Sequence, residues 1–256
     1  MVKNCALVLT SYPARLMYVP KVIEAWTHSK EQPEKKVLYL SLTQYPNRDK
    51  DVPANILSDL KRLDVTIIYR KGDERNFKSY YAGEDFPNWW LLQIDDDWLA
   101  GEGSFDRFYA LHKTFPNTII TCKDTPCIIG NGVFYQASML DKRYLTDMYK
   151  VVPLLLSDLW LAFWASYAQI NVTPMIPAQD RKFMPETNDT YLGQEYCSGN
   201  HIQQFQDLLI REYPKEYKIA KAFVGGNALW VKPKKKNIIY RAIRKIYREI
   251  RKRISL

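Results

Sequence analysis

An α/β fold built on an open, mostly parallel sheet is what the sequence predicts, and three observations carry that expectation. Residues 4–10 form a continuous apolar run closed by Ser11, Tyr12 and Pro13, the pattern of a strand buried on both faces. Apolar runs then alternate with helix-spaced segments in the order β-α-β-α-β. The fourth run leads straight into Asp95, Asp96 and Asp97, and open α/β sheets bind ligands beyond the carboxyl ends of their strands.

Each element has its own signal. In 16–27, apolar residues at Leu16, Val19, Ile23 and Trp26, with Pro20 early, predict a helix. Strands are expected at 37–40, 65–69 and 89–94, and a helix at 53–63 with Pro53 near its start. Beyond residue 100 the spacing predicts a helix over 104–115, short strands at 118–121 and 127–129, and a turn at Gly130, Asn131 and Gly132. Helices follow at 157–168 and 201–211, and the Pro/Gly/Asn/Thr-rich stretch 172–199 reads as a long loop. The expected organisation is one domain over residues 1–230 and a separate tail over 231–256.

The chain has 256 residues, of which 46% are hydrophobic and 25% charged, proportions that exclude a disordered or fibrous protein. Its net charge of +9 suggests a nucleic-acid binder until it is located. Residues 232–256 hold eleven Lys/Arg against the single acid Glu249, a net +10, which leaves about −1 for the other 231 residues. The body is therefore not a basic platform, and no nucleic acid is expected. In the tail, Ile239, Ile243, Ile246, Tyr247, Ile250 and Ile254 recur at three- and four-residue steps among the basic residues, which predicts a basic amphipathic helix lying on an anionic membrane surface. An RNA-binding arm and a helix docked on an acidic partner are the alternatives.

Cys5, Cys122, Cys127 and Cys197 form neither a disulfide scaffold nor a C-x-x-C zinc pair. A reducing cytoplasm and no export signal are the expectation. The apolar stretch 151–165 is broken by Pro153, Ser157 and Asp158, so a core segment is expected rather than a membrane span.

Three consecutive carboxylates at a strand end repel one another unless a cation sits among them. Hard divalent ions such as Mn2+ or Mg2+ suit such oxygens and commonly add phosphate oxygens to complete their shell. A solvated turn is the alternative. At the same sheet edge, Thr10, Ser11, Tyr12 and Arg15 offer hydroxyls, a ring and a guanidinium for a nucleotide and its phosphates, or they form an ordinary βα loop. Neither a Gly-rich dinucleotide fingerprint nor a P-loop is present. Trp98 and Trp160, each near an acid, are candidate sugar-stacking rings. His28 and His112 have no acidic companions in sequence and receive no role.

Taken together, LTSYPAR after the first strand, Lys78 in RNFKSY, QIDDDW, GNGVFY, LLLSDLWLAFWA and SGNHIQQF resemble a family of GT-A glycosyltransferases of microbial surface-polysaccharide synthesis, over roughly residues 4–215. The resemblance implies a GT-A fold, Rossmann-like, with a mostly parallel central sheet flanked by helices. It implies a D-x-D motif at Asp95–Asp97, with Asp97 on the metal and Asp95 on the metal or the ribose. Thr10, Ser11, Tyr12, Arg15, Lys78, Asp95 and Asp96 would hold a nucleoside diphosphate sugar. Arg15 and Lys78 read equally well as surface cations.

Inverting transfer needs a base for the acceptor hydroxyl, and Asp158, set among leucines, is the candidate. Ser157 stands where the family has a first Asp, so a helix cap is the rival role. His201, where the family more often has an acid, is a candidate third metal ligand or an ordinary helix-start residue.

The expected activity is transfer of a sugar to a hydroxyl of a glycan or lipid-linked glycan, in the cytoplasm at the inner face of the membrane. A sugar nucleotidyltransferase is one rival, although TSYPAR lacks the glycines such enzymes use. A non-enzymatic membrane-surface or RNA-binding protein working through the tail is the other.

Overall fold

Strand β1 (Val2–Thr10) sends alternate side chains to opposite faces of a sheet, and both faces are covered. Cys5, Leu7 and Leu9 enter one apolar core while Ala6 and Val8 enter a second, which is why the run reads as continuously apolar. In the computed structural model, residues 1–71, 78–122, 132–150, 157–174, 181–183 and 199–224 are described.

A seven-stranded sheet is built from β1, β2 (Pro33–Ser41), β3 (Val65–Arg70), β4 (Trp90–Gln93), β6 (Thr118–Thr121), β7 (Val133–Gln136) and β8 (Asn171–Pro174), in the order β3-β2-β1-β4-β7-β6-β8. Strands β3, β2, β1 and β4 are mutually parallel, β6 and β8 are parallel, and β7 runs antiparallel to both its neighbours. A separate two-stranded antiparallel sheet joins β5 (Trp98–Ala100) to β9 (Arg181–Phe183).

Helices α1 (Val19–Thr27), α2 (Ala54–Arg62) and α4 (Ser104–Thr114) cover one face through Val22, Ile23, Trp26, Ile56, Leu60, Phe105 and Phe108. The other face carries α3 (Lys78–Asp85), α5 (Arg143–Thr146), α6 (Ser157–Tyr167), α7 (Gly199–Glu212) and α8 (Pro214–Phe223). The mostly parallel, helix-flanked sheet that the sequence predicts is therefore present. In α6, every residue from Leu159 to Ser166 is buried, as befits a helix apolar all round at the centre of a layer. No helix among the described residues is long and apolar enough to cross a membrane.

Several expectations need correction. The helix expected at 16–27 opens as a 3-10 turn, Leu16–Tyr18, before α1 begins. The expected long loop 172–199 contains β9 and most of β8. The sequence after Gly132 is β7, a central strand that the spacing does not predict, and Gly130 and Asn131 of the expected turn lie outside the described residues. Helices α3 and α8 and strand β5 are present where the sequence spacing predicts no element. The strand expected at 127–129, the domain end near Trp230 and the tail lie outside the described residues.

Candidate active site at the β1/β4 switch point

After β1 the chain steps outward to β2 and β3, then returns to place β4 on the other side of β1. The carboxyl ends of β1 and β4 therefore flank a crevice where the strand order reverses, the place where open α/β sheets hold ligands. Val8 pairs with Gln93, and the Ile94 amide donates to the Val8 carbonyl at 3.0 Å. Continuing that register brings Asp95–Asp97 level with the turn after Thr10.

The turn itself is made by Pro13 following Tyr12, with the Arg15 and Leu16 amides donating to the Tyr12 carbonyl at 2.9 and 3.0 Å. It folds Arg15 back into the crevice, where the residue is only 5% exposed. Arg15 Nη1 donates to Asp97 Oδ2 at 2.8 Å and to Asp96 Oδ1 at 3.1 Å, and Ser11 Oγ donates to Asp96 Oδ2 at 2.7 Å. The guanidinium carbon also lies 5.4 Å from the Tyr12 ring centroid. Burial disfavours the Arg15 charge, but attraction to Asp96 and Asp97 outweighs it and raises the pKa. Arg15 is thus no surface cation. The Trp26 indole donates to the Trp98 carbonyl at 3.2 Å, fixing to α1 the backbone that follows Asp97.

Beside the crevice, between the ends of β1 and β2, lies a small, partly open pocket lined by Thr10, Ser11, Tyr39, Leu40, Ser41, Gln44 and Tyr81. Its wall is braced from behind: Tyr39 Oη donates to Asp85 Oδ2 at 2.9 Å, Arg70 pairs with Asp85 as well, and the Arg70 guanidinium lies 5.3 Å from the Tyr81 ring centroid. Burial, then the Asp85 carboxylate, raises the Tyr39 pKa and keeps the phenol neutral. Tyr45 is 2% exposed, and its hydroxyl has no hydrogen-bond partner among the described residues. Burial and the nearby Asp96 charge raise its pKa too.

Thr10, Ser11, Tyr12, Arg15, Asp95, Asp96 and Asp97 are therefore brought to one end of the sheet. Lys78 begins α3 and His201 lies in α7, with both side chains outside the described residues. Asp158 is the second residue of α6 and half-buried. Trp160 offers no stacking face: it is fully buried, its indole donates to the Tyr144 carbonyl at 2.7 Å, and its ring packs on Trp164 and Tyr213. Ser41, Gln44, Tyr39 and Tyr81 escape the sequence reading. The edge rule that flags TSYPAR applies equally to the loop after β2, SLTQY, and would have found the first two.

The donor chemistry suits a hard divalent cation. Three carboxylates and one guanidinium leave a formal −2, and carboxylate oxygens are what Mg2+ and Mn2+ prefer. Among the described residues no group of three or more His, Cys, Asp or Glu side chains converges on one point. Asp97 and Asp95 would thus supply part of a coordination shell, with the rest coming from phosphate oxygens, water or a side chain such as His201.

No family model matches the chain, and no curated protein matches it. Among solved structures, the chain is similar to a mannosyltransferase, PcManGT from Pyrobaculum calidifontis, in complex with GDP-Man and Mn2+, at 11% identity over 96% of this chain and 80% of that one, with a TM-score of 0.46. It is also similar to S. aureus TarS at 8% identity over 86% of this chain and 42% of that one, TM-score 0.48. A shorter form, TarS 1–349 in complex with UDP, is similar at 10% identity over 86% and 70%, TM-score 0.49.

Proposed function

We propose that the protein is a metal-dependent glycosyltransferase that moves a sugar from a nucleoside diphosphate sugar to a hydroxyl of a glycan or lipid-linked glycan, with inversion. The observation that carries this reading is the joined cluster of Asp96, Asp97, Arg15 and Ser11 at the switch point, next to a small, partly open pocket.

The base or ribose lies over the mouth of this pocket, beside Tyr39, Tyr81, Ser41 and Gln44. The diphosphate then runs toward the aspartates, where Tyr12, Thr10 and Ser11 line its path and Lys78 and Arg15 pair with its oxygens. Held by Asp97 and Asp95, with His201 as a further ligand, Mn2+ or Mg2+ would supply Lewis-acid neutralisation of the charge that builds on the leaving diphosphate. Asp158 takes the proton from the acceptor hydroxyl as the new bond forms on the face opposite the leaving group.

Calorimetric titration of nucleoside diphosphates with and without Mn2+ tests the donor half. Asp97→Ala should abolish metal-dependent nucleotide binding, and retention of that binding would remove the metal from this site. Asp158→Asn should keep nucleotide binding while turnover falls about 10²- to 10⁴-fold; unchanged turnover would leave Asp158 only its place at the start of α6.

The basic tail, residues 232–256, supports a peripheral position on an anionic membrane, where each basic residue near the surface contributes on the order of 1 kcal/mol. Its deletion should abolish binding to vesicles containing anionic lipid and spare transfer to a soluble acceptor.

A further inference from the structure

We propose that the outward face of α8 is a second contact with an anionic membrane, made once the basic tail has landed. The proposal rests on the membrane position read from residues 232–256 and extends it to the folded body of the protein.

On α8, Tyr217 and Ala220 turn inward to the core that holds Trp160, Phe163 and Trp164. Lys215, Lys218, Ile219, Lys221, Ala222 and Phe223 are exposed, and together they form the opposite arc of the helix. The three lysines hold one side of that arc, while Ile219 and Phe223, 41% and 40% exposed, hold the other. A single exposed isoleucine means little, but an apolar edge beside a basic one is how a helix lies in a headgroup layer. Glu216, the acid of this helix, does not offset the lysines: it is half-buried and paired with Arg143 Nη1 at 2.7 Å. Glu212, just before the helix, pairs with Arg211 at 3.0 Å. Among the described residues, Lys215, Lys218 and Lys221 form no ion pair. Like charges repel, so the tail, at net +10, is not what covers this face. A negative surface with an apolar interior fits it, and a bilayer of acidic lipids has both. Only residues 224–231 separate Phe223 from Lys232, a reach of about 30 Å at full extension, so tail and face can touch one bilayer. Each basic residue near an anionic surface multiplies binding about fivefold. Three of them bind weakly alone, whereas a landed tail makes the contact intramolecular. Helix α8 shares its layer with α6, where Asp158 stands, so the bilayer and a lipid-linked acceptor come to the same side of the sheet.

The test is flotation of the full chain with phosphatidylcholine vesicles, with and without phosphatidylglycerol. The triple variant Lys215→Gln, Lys218→Gln, Lys221→Gln should bind the acidic vesicles at least about tenfold more weakly than the wild type. A control triple, Lys21→Gln, Lys30→Gln, Lys61→Gln, removes the same charge from exposed positions on the other side of the sheet and should stay within about twofold, because charges farther from the bilayer than a Debye length are screened. Equal losses in the two triples would make net charge the cause and overturn the proposal. Wild-type binding by the α8 triple would overturn this face and leave the tail as the contact. A wild type that ignores acidic vesicles would overturn the membrane position itself, and this face with it. Ile219→Gln reads the apolar edge: it should bind several-fold more weakly in high salt, where charge attraction is screened. Unchanged binding by that variant, or binding to single-stranded RNA that is lost with the three lysines while vesicle binding persists, would overturn lipid as the occupant. All positions changed are exposed, so each variant should keep the wild-type melting temperature.

Discussion

Arg15 and Asp96 show how burial changes what a residue can do. Read along the chain, Arg15 is a loop cation and Asp96 the middle of three acids; folded, they neutralise one another in a crevice with Ser11 as the third partner. Ser11→Ala removes a hydrogen bond to a buried carboxylate and should cost about 1.5–3 kcal/mol, measurable as a lower midpoint in urea. That the aspartates end a strand was legible from the sequence. Their partner was not, because Arg15 is 81 residues from Asp96 and only the parallel pairing of β1 with β4 joins them.

His112 is a second case. The sequence gives it no role, and in the fold its ring packs 3.8 Å from the Trp90 ring with Nδ1 unpartnered among the described residues. Burial, then Lys113, lowers its pKa. The unfolded chain therefore binds this proton more readily, and the contribution of His112 to stability is lost as pH falls below the unfolded value near 6.5. Melting temperature should drop between pH 7.5 and 5.5, and His112→Phe should flatten that slope.

At the scale of elements, long apolar runs, helix-spaced segments and the short apolar strand β6 were legible, and the more polar short strands were not. Strands β5, β8 and β9 have three or four residues each, too few to show a period. Helix α8 was findable: Pro214 stands at its start and Tyr213, Tyr217, Ala220 and Val224 recur at helical steps. Of the turn expected at Gly130, Asn131 and Gly132, only Gly132 lies among the described residues, and there the absence of a side chain serves packing. Gly132 has φ of +110°, and a Cβ there would lie 2.5 Å from Trp26 Cη2 and 2.9 Å from Cys122 Sγ. Gly132→Ala should destabilise by on the order of 3 kcal/mol through strain and overpacking, and Trp26→Leu in the same chain should recover part of that loss. Independent additive losses in the pair would show that backbone conformation alone is responsible.

At the scale of the whole molecule, the C-terminal helices α7 and α8 close the second core. Tyr213 packs against Trp160, Phe163 and Trp164, donates to Asp147 and accepts from Lys150 at 3.1 Å. Burial, then the Asp147 hydrogen bond, pushes its pKa up to about 12. Arg143 adds a bridge from α5 to Glu216 at 2.7 Å. A chain ending at residue 198 would expose those three rings and should be recovered as aggregate, whereas one ending at 231 should remain soluble; a soluble, folded 1–198 would show that the sheet stands without this layer.

Strand β4 takes part in a different whole-molecule event, biogenesis. One of its edges pairs with β1, already made, and the other waits for β7, forty residues further on. Until the ribosome delivers that strand, Leu91 and Leu92 sit on an open edge beside the aspartates, a template for pairing with other chains. A nascent chain arrested at residue 122 should therefore recruit chaperones strongly, and one arrested beyond α6 far less.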